Sequence, residues 1–410
     1  MNIKLPPRSA WSIPDDVIYF NHGSFGPAPR VVQEAREEFS RRLECQPMDF
    51  YLKQMEPALD QAMSVLAKFV GAEPRDMVFV DNATVAMNIV AETADLQAGD
   101  EVLLNDHEYG AVFRIWRRKC ERVGARVVNA QLGAIQNDST PSTASVVFGP
   151  PRLSNANEIC NSLFQAVTDR TKLIVVSHVA SPSAIVLPVT EICRQARERG
   201  VPVCIDGPHA IAMRHVNLRE IDCDYYCASL HKWLSAPFGS GFLYIKRKLQ
   251  RNLQPHMTSW GRSLAGLPER WQDQFNWLGT RDPAPFLAVP AAIEFLEQTG
   301  LEPFRQWTHH LAQSARQQLE QLFGQTAWMP DSLDWYGSMV TVPLPIGGEK
   351  RAKPNSMHPL QQKLRERFQI EIPITECRGQ SLLRVSCHLY NTLEQIEYLI
   401  NALKTVLTSG

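Results

Sequence analysis

The chain lacks any excess of charge. Its 42 lysines and arginines face 43 acidic residues, leaving a formal charge of −1. Nucleic acids and anionic membrane surfaces select strongly basic proteins, so neither is expected as a partner. No uninterrupted apolar run is long enough to span a bilayer. The opening Met1-Asn2-Ile3-Lys4-Leu5-Pro6-Pro7 has no apolar secretory segment. The nine cysteines are odd in number and scattered, and several, such as Cys193 and Cys204, sit in apolar segments. That suits reduced, buried thiols in a cytoplasmic protein better than a disulfide framework. Cys223, Cys227 and His231 fall four apart but match no common zinc spacing and have no second pair nearby, so no metal is expected. No strand is followed by a glycine fingerprint or P-loop, which argues against a nucleotide-binding module.

What the chain does have is length and alternation. Its 410 residues exceed one ordinary core, and 44% hydrophobic with 21% charged content fits a soluble globular protein. Helices are expected over 29–45 and 56–70. Short apolar runs follow at 77–80, 101–104, 126–128, 172–177, 201–205, 225–228 and 241–245. Between them lie helical segments at 84–94, 110–123, 157–168 and 190–199. Runs that are apolar throughout and alternate with helices predict an α/β fold, a mainly parallel seven-stranded sheet covered on both faces. Beyond 285 the pattern changes to helices at 285–298, 302–323, 359–368 and from 393, with strands at 339–342 and 382–386. A smaller α+β C-terminal domain is expected there. The division is an N-terminal arm over 1–28, a large domain over 29–284 and the small domain over 285–410, with the first helices free to join the small domain. A polar stretch at 133–157 reads as an insertion, and 254–280, rich in Trp and Gly, as an ordered irregular segment.

The chemistry centres on Ser229-Leu230-His231-Lys232-Trp233-Leu234. Lysine is almost never buried without a partner, and burial lowers its pKa towards the neutral amine. A neutral amine attacks aldehydes. Asp206 ends the apolar run 201–205 and could hold a pyridinium nitrogen protonated. Lysine and aspartate together have the form of a pyridoxal phosphate site. A surface lysine and a helix-capping aspartate would be the plainer interpretation of either residue alone.

Other stations lie at the same kind of place. Asp81-Asn82-Ala83-Thr84 follows a strand and opens a helix, where free N–H groups and the helix dipole favour a phosphate; a simple N-cap fits equally well. Tyr109 is the candidate to stack on a flat cofactor ring, with His107 in reserve. His209, three residues past Asp206, could reach the ring's phenolic oxygen. Ser229 and His231 could donate to the phosphate. Arg384, alone in the apolar strand Leu382-Leu383-Arg384-Val385-Ser386, is costly unless paired. A substrate carboxylate or an internal salt bridge would pair it. The loop Trp277-Leu278-Gly279-Thr280-Arg281-Asp282 reads as an interface.

In this order, the stations resemble the class V aminotransferase family of fold-type I pyridoxal phosphate enzymes, and within it the isopenicillin N epimerase-like branch. The segments that carry the likeness include Asn21-His22-Gly23-Ser24-Phe25-Gly26, Asp206-Gly207-Pro208-His209, His231-Lys232-Trp233-Leu234 and Arg384-Val385-Ser386-Cys387-His388-Leu389-Tyr390-Asn391. The resemblance implies that Lys232 binds the cofactor aldehyde and Asp206 its ring nitrogen. It implies phosphate contacts from Ala83, Thr84, Ser229 and His231, and from Thr280 of a second subunit, hence a homodimer. It implies that Arg384 binds the substrate carboxylate while Asn21, His22, Gly23 and Ser24 line the entrance. Pro208, where a small residue is usual, and the 133–157 insertion depart from the pattern. The expected reaction begins with proton removal from Cα of an amino acid by Lys232. Epimerisation, transamination and C–S lyase or desulfurase chemistry share that start, and a pyridoxal phosphate binder without turnover is the non-enzymatic rival. For a desulfurase thiol, Cys377 is the candidate.

Overall fold

The first strand, β1 (Ile18–Tyr19), belongs with the C-terminal part of the chain. The next seven form one sheet. They are β2 (Met77–Val80), β3 (Glu101–Asn105), β4 (Arg126–Ala130), β5 (Thr171–Ser177), β6 (Val203–Asp206), β7 (Tyr225–Ser229) and β8 (Gly241–Ile245). Their order is β2-β8-β7-β6-β5-β3-β4, and only β8 runs antiparallel to its neighbours. The expected seven strands and mainly parallel sheet are therefore present. β6 starts at Val203 rather than Val201 because Pro202 has no N–H for the ladder. This computed structural model describes residues 5–133, 153–253, 255–259, 270–345 and 356–408. Most of the 133–157 insertion, and 260–269 of the irregular segment, lie outside the described residues.

Side-chain alternation along the strands builds two cores. Val78, Val80, Val102, Leu104, Val175, Cys204 and Leu243 point to one face, where the helices Ala83–Thr93 and Gly110–Val123 cover them. Phe79, Leu103, Ile174, Val176, Ile205, Tyr226 and Phe242 point to the other, under the helices Met55–Phe69, Ala156–Gln165 and Val189–Glu198. A strand buried on both sides must be apolar at every position, which is why the runs read as continuous.

The rest of the chain makes β9 (Met339–Pro343), β10 (Ile370–Glu371), β11 (Ile374–Cys377) and β12 (Gln380–Ser386). β11, β12 and β9 form an antiparallel sheet in that order. The helix Leu301–Phe323 packs on β9 and β12, and the helix Leu393–Thr408 packs against that helix, with Leu311, Ala315, Ile396 and Leu403 buried. β1 pairs in parallel with β10, Ile18 against Ile370, and Asn21 bridges Ser386. The N-terminal arm is thus laid against the C-terminal elements. Among the described residues, no helix is long and apolar enough to cross a membrane.

Candidate active site

β2 and β7 both run antiparallel to β8, so β2 points the same way as the parallel strands. The C-terminal ends of β2, β3, β5, β6 and β7 therefore share one edge, the ligand edge of open α/β sheets. Lys232 stands three residues beyond β7, and its Nζ lies 2.8 Å from His209 Nε2. Burial pulls the Lys232 amine down to about 7, helped by the Arg384 charge and opposed by Asp206. Asp206 is the last residue of β6, and burial pushes its carboxyl up to about 6 against the pull of Lys232. Burial and the neighbouring Asp206 raise Glu108 to about 8. Ser177, at the end of β5, is the register partner of Asp206. The Glu108 carboxyl accepts from the N–H of Ser177 (2.9 Å), from its hydroxyl and from the Tyr109 N–H (3.0 Å). Three titratable groups thus converge in a cleft dry enough to move all of them towards neutrality.

The second station is a cradle at the helix Ala83–Thr93. Asn82 caps it by accepting from the Val85 N–H at 3.0 Å. The Ala83 N–H donates to Ser229 Oγ at 2.9 Å, which brings the end of β7 onto the first turn of the helix. Thr84 is exposed on that turn. His231 sits beside Lys232 in the chain with its Nδ1 buried and without a partner among the described residues. The 277–282 loop is fastened alongside: Arg281 donates to Asp81 at 2.6 Å, and Tyr51 donates to the Arg281 carbonyl at 2.9 Å. Thr280 is exposed there.

The third station is Arg384, inside β12 and only 3% exposed. Its Nη1 donates to the Ser181 carbonyl (2.8 Å) and hydroxyl (3.1 Å), and its Nη2 to the Ser24 hydroxyl. Among the described residues its Nε has no partner and no carboxylate pairs with it, so no internal salt bridge forms there. Burial lowers the guanidinium to about 10, opposed by Tyr109. Asn21 Oδ1 is likewise buried and unpartnered.

Tyr109 is 49% exposed and precedes the helix Gly110–Val123, free to cover a ring. His107 is not free: its Nδ1 meets Ser183 Oγ at 2.8 Å and its ring packs edge-on to Trp328. Two of the residues expected at the entrance, His22 and Gly23, are buried. His22 is fully buried, with Nδ1 on the Tyr390 hydroxyl (2.9 Å) and Nε2 on the Lys232 carbonyl (3.0 Å). A Cβ at Gly23 would lie 2.9 Å from both Met339 Sδ and Ser386 Oγ, so this residue is absent of side chain for packing reasons. Ser181 and Glu108 are the site residues the sequence reasoning missed. Their one signal was position, each just past the end of a parallel strand.

These residues fit pyridoxal phosphate. Among the described residues, buried His209 Nδ1, His231 Nδ1 and Arg384 Nε all lack partners, and a helix N-terminus and a lysine with a lowered pKa stand among them. Residues 18–399 match the aminotransferase class-V family. The chain belongs to that family. It is accordingly an enzyme, and its cofactor is pyridoxal phosphate. Across 94% of both chains, this class V aminotransferase family member is 34% identical to the isopenicillin N epimerase of Streptomyces clavuligerus. It is 29% identical to a putative L-cysteine desulfhydrase 1 of Oryza sativa subsp. japonica, covering 95% of this chain and 83% of that one. The fold is that of solved fold-type I enzymes. A mutant of C-DES with glycine covalently linked to its cofactor superposes with a TM-score of 0.79 at 22% identity, over 97% of this chain and 99% of that one.

Proposed function

We propose that the enzyme epimerises an amino acid, or an amino-acid-derived substrate, at Cα. The observation that carries this reading is a buried Arg384, with no carboxylate partner among the described residues, beside a Lys232 amine whose pKa has fallen to about 7. The first suits a substrate α-carboxylate, with Asn21 and Ser24 beside it. The second suits a general base that is largely neutral near physiological pH. Pyridoxal phosphate, when bound, supplies an electron sink for the pair left when Cα loses its proton. Lys232 holds it by its aldehyde and moves the Cα proton. Asp206 keeps a carboxylate at the ring nitrogen, His209 reaches the phenolic oxygen and Tyr109 covers the ring. Ala83, Thr84, Ser229 and His231 hold the phosphate, joined by Thr280 of a second subunit in a homodimer.

The thiols weigh against a desulfurase, which needs an exposed, mobile cysteine. Eight of the nine cysteines are buried and only Cys45 is exposed. Cys377 packs on Asp106 and His107, and burial pushes its thiol up to about 12. A C–S lyase needs no enzyme thiol, and the desulfhydrase relatives keep that as the second reading. The deciding experiment incubates holoenzyme with L- and D-amino acids, cysteine included, in deuterated water. Inversion with deuterium at Cα is the expected result. Sulfide or keto-acid release without inversion would replace the proposal. Loss of the cofactor's visible absorbance in Lys232→Ala checks the lysine.

A further inference from the structure

Four buried side chains next to the lysine loop have no part in the roles above: His22 from the arm, Ser235 from the loop itself, and His388 and Tyr390 from the segment after β12. All four are essentially without solvent contact. The two imidazoles stack, with centroids 3.9 Å apart and planes 16° apart. Burial holds both well below the usual imidazole range, and His388 further disfavours a charge on His22.

Neutral rings make the hydrogen bonds directional. The Lys232 carbonyl can only accept, so His22 Nε2 carries the hydrogen and donates to it at 3.0 Å. His22 Nδ1 is then an acceptor, and the Tyr390 hydroxyl donates to it at 2.9 Å. Ser235 Oγ lies 3.3 Å from the same Nε2 and 3.2 Å from His388 Nε2. Its oxygen faces the His22 N–H and its hydroxyl is within reach of His388, whose ring also sits against the Trp233 backbone and whose Nδ1 is buried with no partner among the described residues.

The same contacts clamp the backbone of the lysine. The Lys232 carbonyl also accepts from the Ser235 N–H at 2.7 Å. Ser235 sits at φ +57°, a left-handed conformation that a serine keeps only when its surroundings impose it. The arm presses closely here: a Cβ on Gly26 would lie 2.5 Å from the His231 carbonyl oxygen and 2.7 Å from His22 Nε2.

We propose that His22 is a positioning residue for Lys232, and that Tyr390, Ser235 and His388 complete a buried relay through which the two ends of the chain fix the direction of the lysine side chain. This deepens the proposed function, since it rests on Lys232 being the residue that holds the cofactor and moves the proton. His22 acts on the carbonyl of Lys232 and touches no reacting atom.

The test uses three variants. His22→Phe keeps a stacking ring but loses both nitrogens. Tyr390→Phe loses only the hydroxyl. His22→Gln can restore one donor and one acceptor. Two measurements are made on the full chain: reductive methylation of Lys232 in cofactor-free protein, mapped by peptide mass spectrometry against the other lysines, and the rate of pyridoxal phosphate capture followed by visible absorbance. In His22→Phe we expect the relative labelling of Lys232 to change severalfold, capture to slow about tenfold, and kcat to fall about tenfold with little change in KM. Tyr390→Phe should lie between, and His22→Gln should recover part of the loss. Wild-type labelling, capture and kcat in His22→Phe, with only a lower Tm, would overturn the proposal. If that variant fails to fold, unchanged values in Tyr390→Phe overturn it instead. A wild-type protein that captures no cofactor refutes the proposed function, and the labelling arm still decides the positioning role.

Discussion

Lys232 Nζ lies 2.8 Å from His209 Nε2, while His209 Nδ1 is buried with no partner among the described residues. The histidine beside the lysine carries no negative charge to hold it protonated. Asp206 is the group that favours its charge, and burial outweighs it.

The first prediction concerns that amine. In cofactor-free protein, Lys232 labelling should rise with a midpoint near pH 7, where an ordinary lysine titrates near 10.5. Asp206→Asn should move the midpoint lower still, because the carboxylate is what holds it up. A wild-type midpoint above pH 9, read by mass spectrometry, contradicts the assigned environment.

Arg384 should show function and stability pulling apart. Removing a buried cation with no counter-ion should not destabilise the fold much, so Arg384→Met should keep or raise Tm. The same change should cut kcat/KM by about 10- to 100-fold, the value of a charge-assisted contact of about 1.5–3 kcal/mol. Unaltered kinetics would take Arg384 out of the substrate site.

Glu108 sets a pH slope. Its carboxyl titrates near 4.5 in the unfolded chain and about 8 in the native protein. Between those values the native state holds a proton that the unfolded state has released, so stability falls as pH rises through the window. Asp206, raised to about 6, acts in the same direction. Lys232 has the opposite sign, but only above about 7. Buried histidines held below the usual imidazole range, His22, His107, His178, His209 and His388 among them, gain stability as pH rises through the same window, so the test is a difference: from pH 5 to 7 the Tm of cofactor-free Glu108→Gln should climb relative to wild type. Parallel slopes in the two proteins would show that Glu108 is ionised throughout.

Cys377→Ala should retain activity within about threefold, since its thiol is packed and pushed up to about 12. A loss of more than tenfold, with persulfide formation lost in parallel, would restore desulfurase chemistry.

The sheet was legible because strands covered on both faces must be apolar at every position. Lys232, Asp206 and Arg384 were legible for the converse reason, as charges in places where charge is costly. β1 and β10 were not: two residues carry no period. Nor was the destination of His22. Its partners lie at 232, 235, 388 and 390, and no local pattern announces a contact across that separation. The arm motif drew attention to His22 for the wrong neighbours. Glu108 was not singled out, because its importance comes from Ser177 at the end of the adjacent strand.

The pairing of β1 with β10 also has a bearing on biosynthesis. Ile18 waits for Ile370, so a chain emerging from the ribosome has made nearly all of the parallel sheet before its first strand can find its neighbour. Until then the turn that presses on the lysine loop has nothing behind it. Maturation of this enzyme is therefore expected to finish with the docking of β1, and removing either β1 or β10 should cripple the same centre.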